Sequence, residues 1–219
     1  LYSSWQREIE QAWTDTQNLA LVNEREIATL FDAIDTLLRS VAHDYNRHPT
    51  NANPALELWK ALIKEDSFYL PSAGELHLAD ALGTINLGPQ GEAEQNVSIA
   101  DRDYFVFHRD HPDAEMLISQ PIFTRVSRQW ALVFSRRLND PQGSFAGLVM
   151  VSLPLTYFQG HFASLKLGRQ GSISLRDRER RLIYRYPELP GGGQLGPTRI
   201  ADEFSAALQQ DPTRGSYQA

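Results

Sequence analysis

The segment SIADRDYFVFHRDHP (residues 98–112) concentrates side chains that could do chemistry: arginines, aspartates, histidines and a tyrosine in one short run. On a helix, residues three and four apart share a face, which places Asp101, Tyr104 and His108 together and Arg102 on the neighbouring face. The run is compatible with an active site, with a helix that covers a ligand pocket, and with the polar and apolar faces of an ordinary helix.

Metal-dependent chemistry is one interpretation of this run. His108 and His111 are three residues apart, and Asp110 and Asp113 lie close by, so the ligand types of a divalent metal site are present. However, His111 directly precedes Pro112 at the predicted helix end, where polar residues collect in any case. The spacing alone is therefore weak evidence for a metal.

Other catalytic signatures are missing from the sequence. The chain contains no cysteine, which excludes thiolate metal sites and cysteine nucleophiles. It contains no Gly-x-Ser-x-Gly motif, phosphate-binding loop or dinucleotide fingerprint. We therefore predict that the domain is not an enzyme and has no catalytic residues, metal or cofactor. The alternative is a small hydrolytic or metal-dependent enzyme that uses His108 and Asp110.

Ligand binding is better supported by residue type. Arg125 precedes a predicted strand that begins at Trp130, and Tyr104 lies on the predicted helix. A guanidinium pairs with a carboxylate through two parallel hydrogen bonds, and aromatic rings exclude water, so this set suits a small anion. The competing interpretation is that Trp130 and Phe105 belong to the core and that the arginines are solvated.

The overall charge limits the classes of partner. The chain has 219 residues, with 21 basic and 27 acidic side chains and a net charge of −6. Nucleic-acid-binding surfaces need a basic stripe, so no nucleic acid partner is predicted. No apolar run is long enough to cross a membrane. Because the sequence begins without methionine, we expect an excised piece of a longer protein.

A long amphipathic helix is predicted over residues 5–45, where apolar residues recur at steps of three and four. Asn23 and Glu24 interrupt the apolar stripe. Such a helix would be roughly 60 Å long at about 1.5 Å per residue, which exceeds the width of a domain of this size. We expect its N-terminal half, with Trp5, Ile9 and Trp13, to meet a partner, and we predict a homodimer.

The remaining pattern alternates short helices with strands joined by hairpin-length links, which indicates an antiparallel sheet and an α+β class. The predicted strands cover residues 76–78, 85–87, 116–126, 130–138, 144–153, 172–176, 182–186 and a last one from 215. The predicted short helices cover residues 55–65, 101–109, 156–168 and 201–209.

Three segments together, DRDYFVFHRDHPD, ISQPIFTRVSRQWALVFSRRLNDPQGSFAGLVMVSLPLTYF and SISLRDRERRLIYRYP, resemble the double Cache (PDC, PAS-like) sensor domain. The version is most similar to the extracytoplasmic sensors of bacterial transmembrane diguanylate cyclases; sensors of histidine kinases and chemoreceptors are the alternatives. The resemblance implies a stalk helix (1–48), a membrane-distal PAS-like module (49–164) and a C-terminally incomplete membrane-proximal module (165–219). It also implies a periplasmic domain of an inner-membrane protein, with flanking transmembrane helices and a cytoplasmic output domain.

The resemblance further implies that the helix after residue 100 covers a distal ligand pocket. Carried over to this sequence, the ligand-binding positions are Arg102, Tyr104, Phe105, His108, Arg125, Trp130 and Ser135.

One departure from the family pattern bears on the ligand. Amino-acid-sensing members carry an Arg-x-Trp-Tyr motif and a later aspartate that holds the ammonium group. Here Ala131 follows Trp130, and the next strand ends in Val-Ser-Leu-Pro without an aspartate. Because a buried ammonium group needs a charged partner, the expected ligand is a carboxylate or another small anion rather than an α-amino acid.

Overall fold

The computed structural model describes residues 2–47, 74–87, 97–165, 167–168, 171–188 and 202–211. The predicted helix 55–65 and the predicted strand from 215 lie outside these residues. The chain divides into two compact units, Leu1–Asp32 with Thr198–Ala219, and Ala33–Pro197.

The first unit contains most of the long helix α1 (Tyr2–Arg47) and the helix α4 (Asp202–Gln210). Both helices were predicted and both are confirmed. The helix continues through Asn23, whose side-chain amide donates to the Leu19 carbonyl at 2.7 Å one turn earlier. Trp13 is 46% exposed.

The last turns of α1 belong to the second unit and are amphipathic. Their buried side chains include Ile34, Leu37, Leu38 and Val41, which follow the i, i+3, i+4, i+7 spacing of one helix face. Thus the predicted stripe positions this part of α1 in the core of the second unit.

The main sheet has six antiparallel strands: β1 (Glu75–Asp80), β2 (Ile85–Leu87), β3 (Leu117–Ile118), β4 (Ile122–Phe123), β5 (Trp130–Asn139) and β6 (Phe145–Pro154). The strand order is β2-β1-β6-β5-β3, with β4 also paired to β5. The long central strands are β5 and β6, and their connecting turn is held by Asp140, whose carboxylate accepts from the backbone N–H groups of Gln142 and Ser144. This antiparallel arrangement confirms the α+β class.

The two faces of β5 carry different helices, as its period of two requires. On one face Arg136 bonds Asp35 of α1 at 2.8 Å. On the other face Arg137 donates to the His108 carbonyl at 2.6 Å in the helix α2 (Asp103–Asp110). The sheet therefore lies between α2 and the last turns of α1, which belong to the same unit.

A glycine permits the close approach of β1 to β6. Gly147 has φ +136°, and a Cβ atom at this position would come within 2.0 Å of the Ala79 carbonyl oxygen. Since an L side chain suits neither this conformation nor this spacing, the residue has to be glycine.

A short helix and a second hairpin follow the sheet. The helix α3 (Leu155–Ala163) leaves β6, and the hairpin consists of β7 (Ile173–Arg176) and β8 (Leu182–Tyr186). The rings of Phe158 and Phe162 pack against Tyr184, with centroids 6.2 and 6.1 Å away. In the ranges that the structure describes, no helix has the combined length and apolar character needed to cross a membrane.

Candidate ligand-binding site

The helix α2 starts two residues later than predicted, at Asp103, and its N-cap residue is Arg102, which makes no side-chain capping bond. Asp101 therefore lies before the helix and does not cap it. Its carboxylate instead accepts a hydrogen bond from each Nη atom of Arg125, at 2.6 and 2.7 Å. Two charge-assisted bonds in a fork geometry are stronger than one bond from a backbone amide. These hydrogen bonds lower the pKa of Asp101 to about 2.

The apolar face of α2 packs onto the sheet through Tyr104 and Phe105, which are 5% and 2% exposed. Phe105 meets Phe145 edge to face, with centroids 5.3 Å apart, in a cluster that includes Val133 and Met150. Phe105 is therefore a core residue. Burial raises the pKa of Tyr104 to about 12, so its hydroxyl group remains protonated at neutral pH.

His108 is fully buried and contacts the backbone and side chain of Ser135. Its Nε2 atom lies 3.0 Å from the Ser135 carbonyl oxygen and 3.1 Å from the hydroxyl oxygen. A carbonyl only accepts, so Nε2 carries the hydrogen and donates. The Nδ1 atom is buried and has no hydrogen-bond partner among the residues that the structure describes. Burial, the largest effect, lowers the pKa of His108 to about 4 and keeps the ring neutral.

The side chains of the alternative metal or acid–base site do not converge. Asp110 is exposed and binds Arg109 at 2.8 Å, whereas His108 points into the interior toward Ser135. His111 stacks on Phe107 with a centroid distance of 4.5 Å. Across the described ranges, no three histidine or carboxylate side chains come together as metal ligands would.

A small cavity lies between the start of α2 and the sheet. It measures about 20 Å³, which is enough for one water molecule. Its walls bring together Arg102, Tyr104 and Arg125 with Thr124 of the β4–β5 connection and Ser152 of β6. Three of the predicted ligand-binding residues therefore meet here.

A wider groove of about 330 Å³, which we call the α2 groove, continues from this cavity. It shares Arg102 and Tyr104 with the cavity and is also lined by residues 117–120 and by Arg181 of the second hairpin. Its volume falls in the range of small-molecule pockets, about 300–1,000 Å³.

The arginines around the α2 groove differ in their availability. Arg125 is engaged by Asp101, and Arg181 binds Asp177 at 2.7 Å. Arg102 donates one bond, to the Phe123 carbonyl at 2.9 Å, and has no ion pair within the described part of the chain. Most donors of Arg102 are therefore available to an anion in the groove.

Trp130 does not join the other predicted site residues. Along β5, alternation places it with Leu132 on one face of the strand, whereas Val133 lines the cavity beside Tyr104. The indole is 48% exposed and lines a separate cavity of about 410 Å³, which we call the junction cavity. His108 and Ser135 line neither the α2 groove nor its cavity.

Two residues that line the groove were not predicted as site residues from the sequence. Asp101 acts as the ion partner of Arg125 across 24 positions, and Arg181 reaches the groove from the second hairpin. No local pattern connects charges so far apart, so only the tertiary structure could reveal them.

Solved structures of other proteins share the fold of this chain. No protein-family model and no curated protein matches the chain. A solved structure, the extracellular domain of rpHK1S-Z16, a protein assigned as a histidine kinase, is 27% identical, with a TM-score of 0.70. The match covers 87% of this chain and 76% of that chain. The chain has the fold of an extracellular sensor domain.

Two chemoreceptor domains have the same fold at lower identity. The ligand-binding domain of Campylobacter jejuni Tlp3, solved with 4-methylisoleucine, is 15% identical over 92% of this chain and 78% of that chain, with a TM-score of 0.63. That of Pseudomonas fluorescens CtaA, solved with L-serine, is 14% identical over 84% and 73%, with a TM-score of 0.57. These neighbours are ligand-binding sensor domains, which agrees with the prediction that this domain is not an enzyme.

Proposed function

We propose that this chain is the extracytoplasmic ligand-sensing domain of a bacterial membrane signal-transduction protein. The observation that carries the proposal is the convergence of Arg102, Tyr104 and Arg125 on one face of a sensor-domain sheet, beside a groove of about 330 Å³. A half-buried arginine that has no ion pair among the described residues, beside a tyrosine hydroxyl, is suited to hold a small anionic group.

The proposed ligand is a small molecule with a carboxylate group. The carboxylate binds Arg102, and Tyr104 donates from the cavity wall as a protonated hydroxyl group. Asp101 lies beside Arg125 at the same place, so a ligand that also carries an ammonium group would meet a carboxylate there. The neighbours solved with 4-methylisoleucine and L-serine make amino acids a natural part of the ligand library.

The parent protein is proposed to be a diguanylate cyclase or a related cyclic-di-GMP enzyme, on the strength of the sequence motifs over residues 101–158. A histidine kinase is the second candidate, and the 27% identical neighbour favours it. In either parent, residues 1–48 form the stalk, 49–164 the distal module and 165–219 part of a proximal module. Flanking transmembrane helices join the domain to the cytoplasmic output.

The decisive experiment is a thermal-shift screen of small carboxylates and amino acids, followed by calorimetry on the best compound. A ligand at a hundred times its dissociation constant should stabilise the domain by about 2.7 kcal/mol. Charge-assisted hydrogen bonds contribute about 1.5–3 kcal/mol, so Arg102→Gln should weaken binding roughly tenfold to a hundredfold.

The matched control is Arg109→Gln, which removes the same charge from the same helix at an exposed position outside the groove. This variant should bind like the wild type. Equal affinity of wild type, Arg102→Gln and Arg125→Ala would remove the α2 groove from the proposal. Failure of every carboxylate and amino acid to bind would refute the ligand class.

A further inference from the structure

The junction cavity is a second opening in the same compact unit, and it shares no residue with the α2 groove. It measures about 410 Å³ and lies where the end of the main sheet, the start of α3 and the strand β8 meet. Residues of the main sheet and of the second hairpin therefore line one common surface.

Five of the ten residues that line the cavity are aromatic or aliphatic. Leu155, Leu182 and Tyr184 are buried at 7%, 3% and 5% exposure. Phe123 and Trp130 are instead 50% and 48% exposed, and their rings meet edge to face with centroids 5.9 Å apart. Two large rings that remain half exposed around a concavity lined by apolar side chains are characteristic of a binding surface.

The charged groups of the cavity differ in their partners. Arg185 is half-buried and donates through Nη1 to the Pro187 carbonyl at 2.8 Å, with no carboxylate partner in the described part of the chain. Glu188 is exposed and already accepts from the Tyr184 hydroxyl at 3.2 Å. Arg185 therefore places a cation with unused donors next to the apolar wall.

We propose that the junction cavity binds a small aromatic monocarboxylate, whose ring packs against Trp130 and Phe123 and whose carboxylate pairs with Arg185. Offset or edge-to-face contact between aromatic rings favours a flat aromatic body over an aliphatic one. A carboxylate fits the planar fork of a guanidinium through two hydrogen bonds. This site is independent of the ligand proposed for the α2 groove.

The test is calorimetry of indole-3-acetate and benzoate binding to the full chain, with the uncharged indole-3-acetamide and benzamide as matched probes. The acids should bind saturably. The variant Arg185→Gln should lower the affinity for the acids roughly tenfold to a hundredfold and change the affinity for the amides little. Trp130→Ala should lower the affinity for acids and amides alike, since it removes an aromatic ring that would contact both kinds of probe.

Two control variants separate this site from general charge effects and from the α2 groove. Arg178→Gln removes an exposed arginine of the β7–β8 turn and should bind the acids like the wild type. Arg102→Gln removes the groove arginine. Acid binding in the junction cavity should persist in this variant, and loss of all acid binding in it would place the acids in the α2 groove and overturn the proposal. Absence of saturable binding, or equal affinity of wild type and Arg185→Gln for the acids, would overturn the proposal. The proposal would also be overturned if acid binding disappeared as the protein dimerises, because a second copy would then cover Trp130.

Discussion

The buried imidazole of His108 should make the stability of this domain depend on pH in a specific window. Burial lowers the pKa of the folded-state ring to about 4, and Arg136 and Arg137 add smaller electrostatic effects in the same direction. In the unfolded chain the ring has its ordinary pKa of about 6.5. Between these values the unfolded state binds a proton that the folded state does not, so stability rises with pH.

The magnitude follows from the shift. The contribution of His108 is fully present above about pH 6.5 and is lost as the pH falls through the window toward pH 4. The full loss is about 3 kcal/mol, at roughly 1.4 kcal/mol per pKa unit, and about 2 kcal/mol of it is lost between about pH 7.5 and about pH 5. This is a large fraction of the stability of an ordinary domain.

Urea denaturation of wild type and His108→Gln across this pH range measures the effect. The glutamine amide can still donate toward the Ser135 carbonyl but does not titrate, so the difference in unfolding free energy between the two proteins should narrow as the pH falls. His43→Gln is the control, because His43 is exposed on α1, and its curve should parallel the wild type. Parallel curves for wild type and His108→Gln would refute the assignment of a buried neutral ring.

Three further results are expected. Phe105→Ala should cost about 3–5 kcal/mol in urea denaturation, because it empties a fully buried position beside Phe145; a cost below about 1 kcal/mol would show that the ring is not in the core. Asp101→Asn should strengthen the binding of a simple monocarboxylate in calorimetry, since Arg125 then loses a charged internal competitor; unchanged affinity would place Arg125 outside the ligand's reach. Trp13→Ser should shift sedimentation equilibrium toward monomer without lowering stability, because the indole is 46% exposed in a single chain; an unchanged association state would remove this end of α1 from a dimer interface.

The sequence predicted the elements of this fold well because each has a local cause. The stripe of apolar residues in α1 and the turn residues around Asp140 act within a few positions, and the structure has a helix and a hairpin at these places. The predicted strand 130–138 is present as β5. Alternation along a strand places Trp130 and Ser135 on opposite faces, so grouping the two in one pocket conflicted with the predicted strand itself.

The site was harder to predict because its contacts are long-range. The Asp101–Arg125 pair and the reach of Arg181 into the α2 groove depend on how the strands and the second hairpin come together. Residue type alone also did not separate binding from packing. His108 and Phe105 have the chemistry of a ligand site, yet their burial assigns one to an internal hydrogen bond and the other to the core.

The strand β5 connects the proposed site to the helix that would carry its signal. Ser135 contacts His108 of α2 on one face, and the next residue, Arg136, bonds Asp35 of α1 on the other. The Asp35 carboxylate also forms an ion pair with Arg39 at 2.6 Å, so it joins the strand to two successive turns of α1. A ligand can only favour one arrangement of α1 by the difference in its affinity for the two arrangements, and such coupling is typically about 1–3 kcal/mol. Close-packed interiors deform little, so a displacement of α2 would move the largely buried strand β5 instead of being lost in local rearrangement. Movement of α2 in the proposed sensor would therefore reach α1 through adjacent residues of one strand.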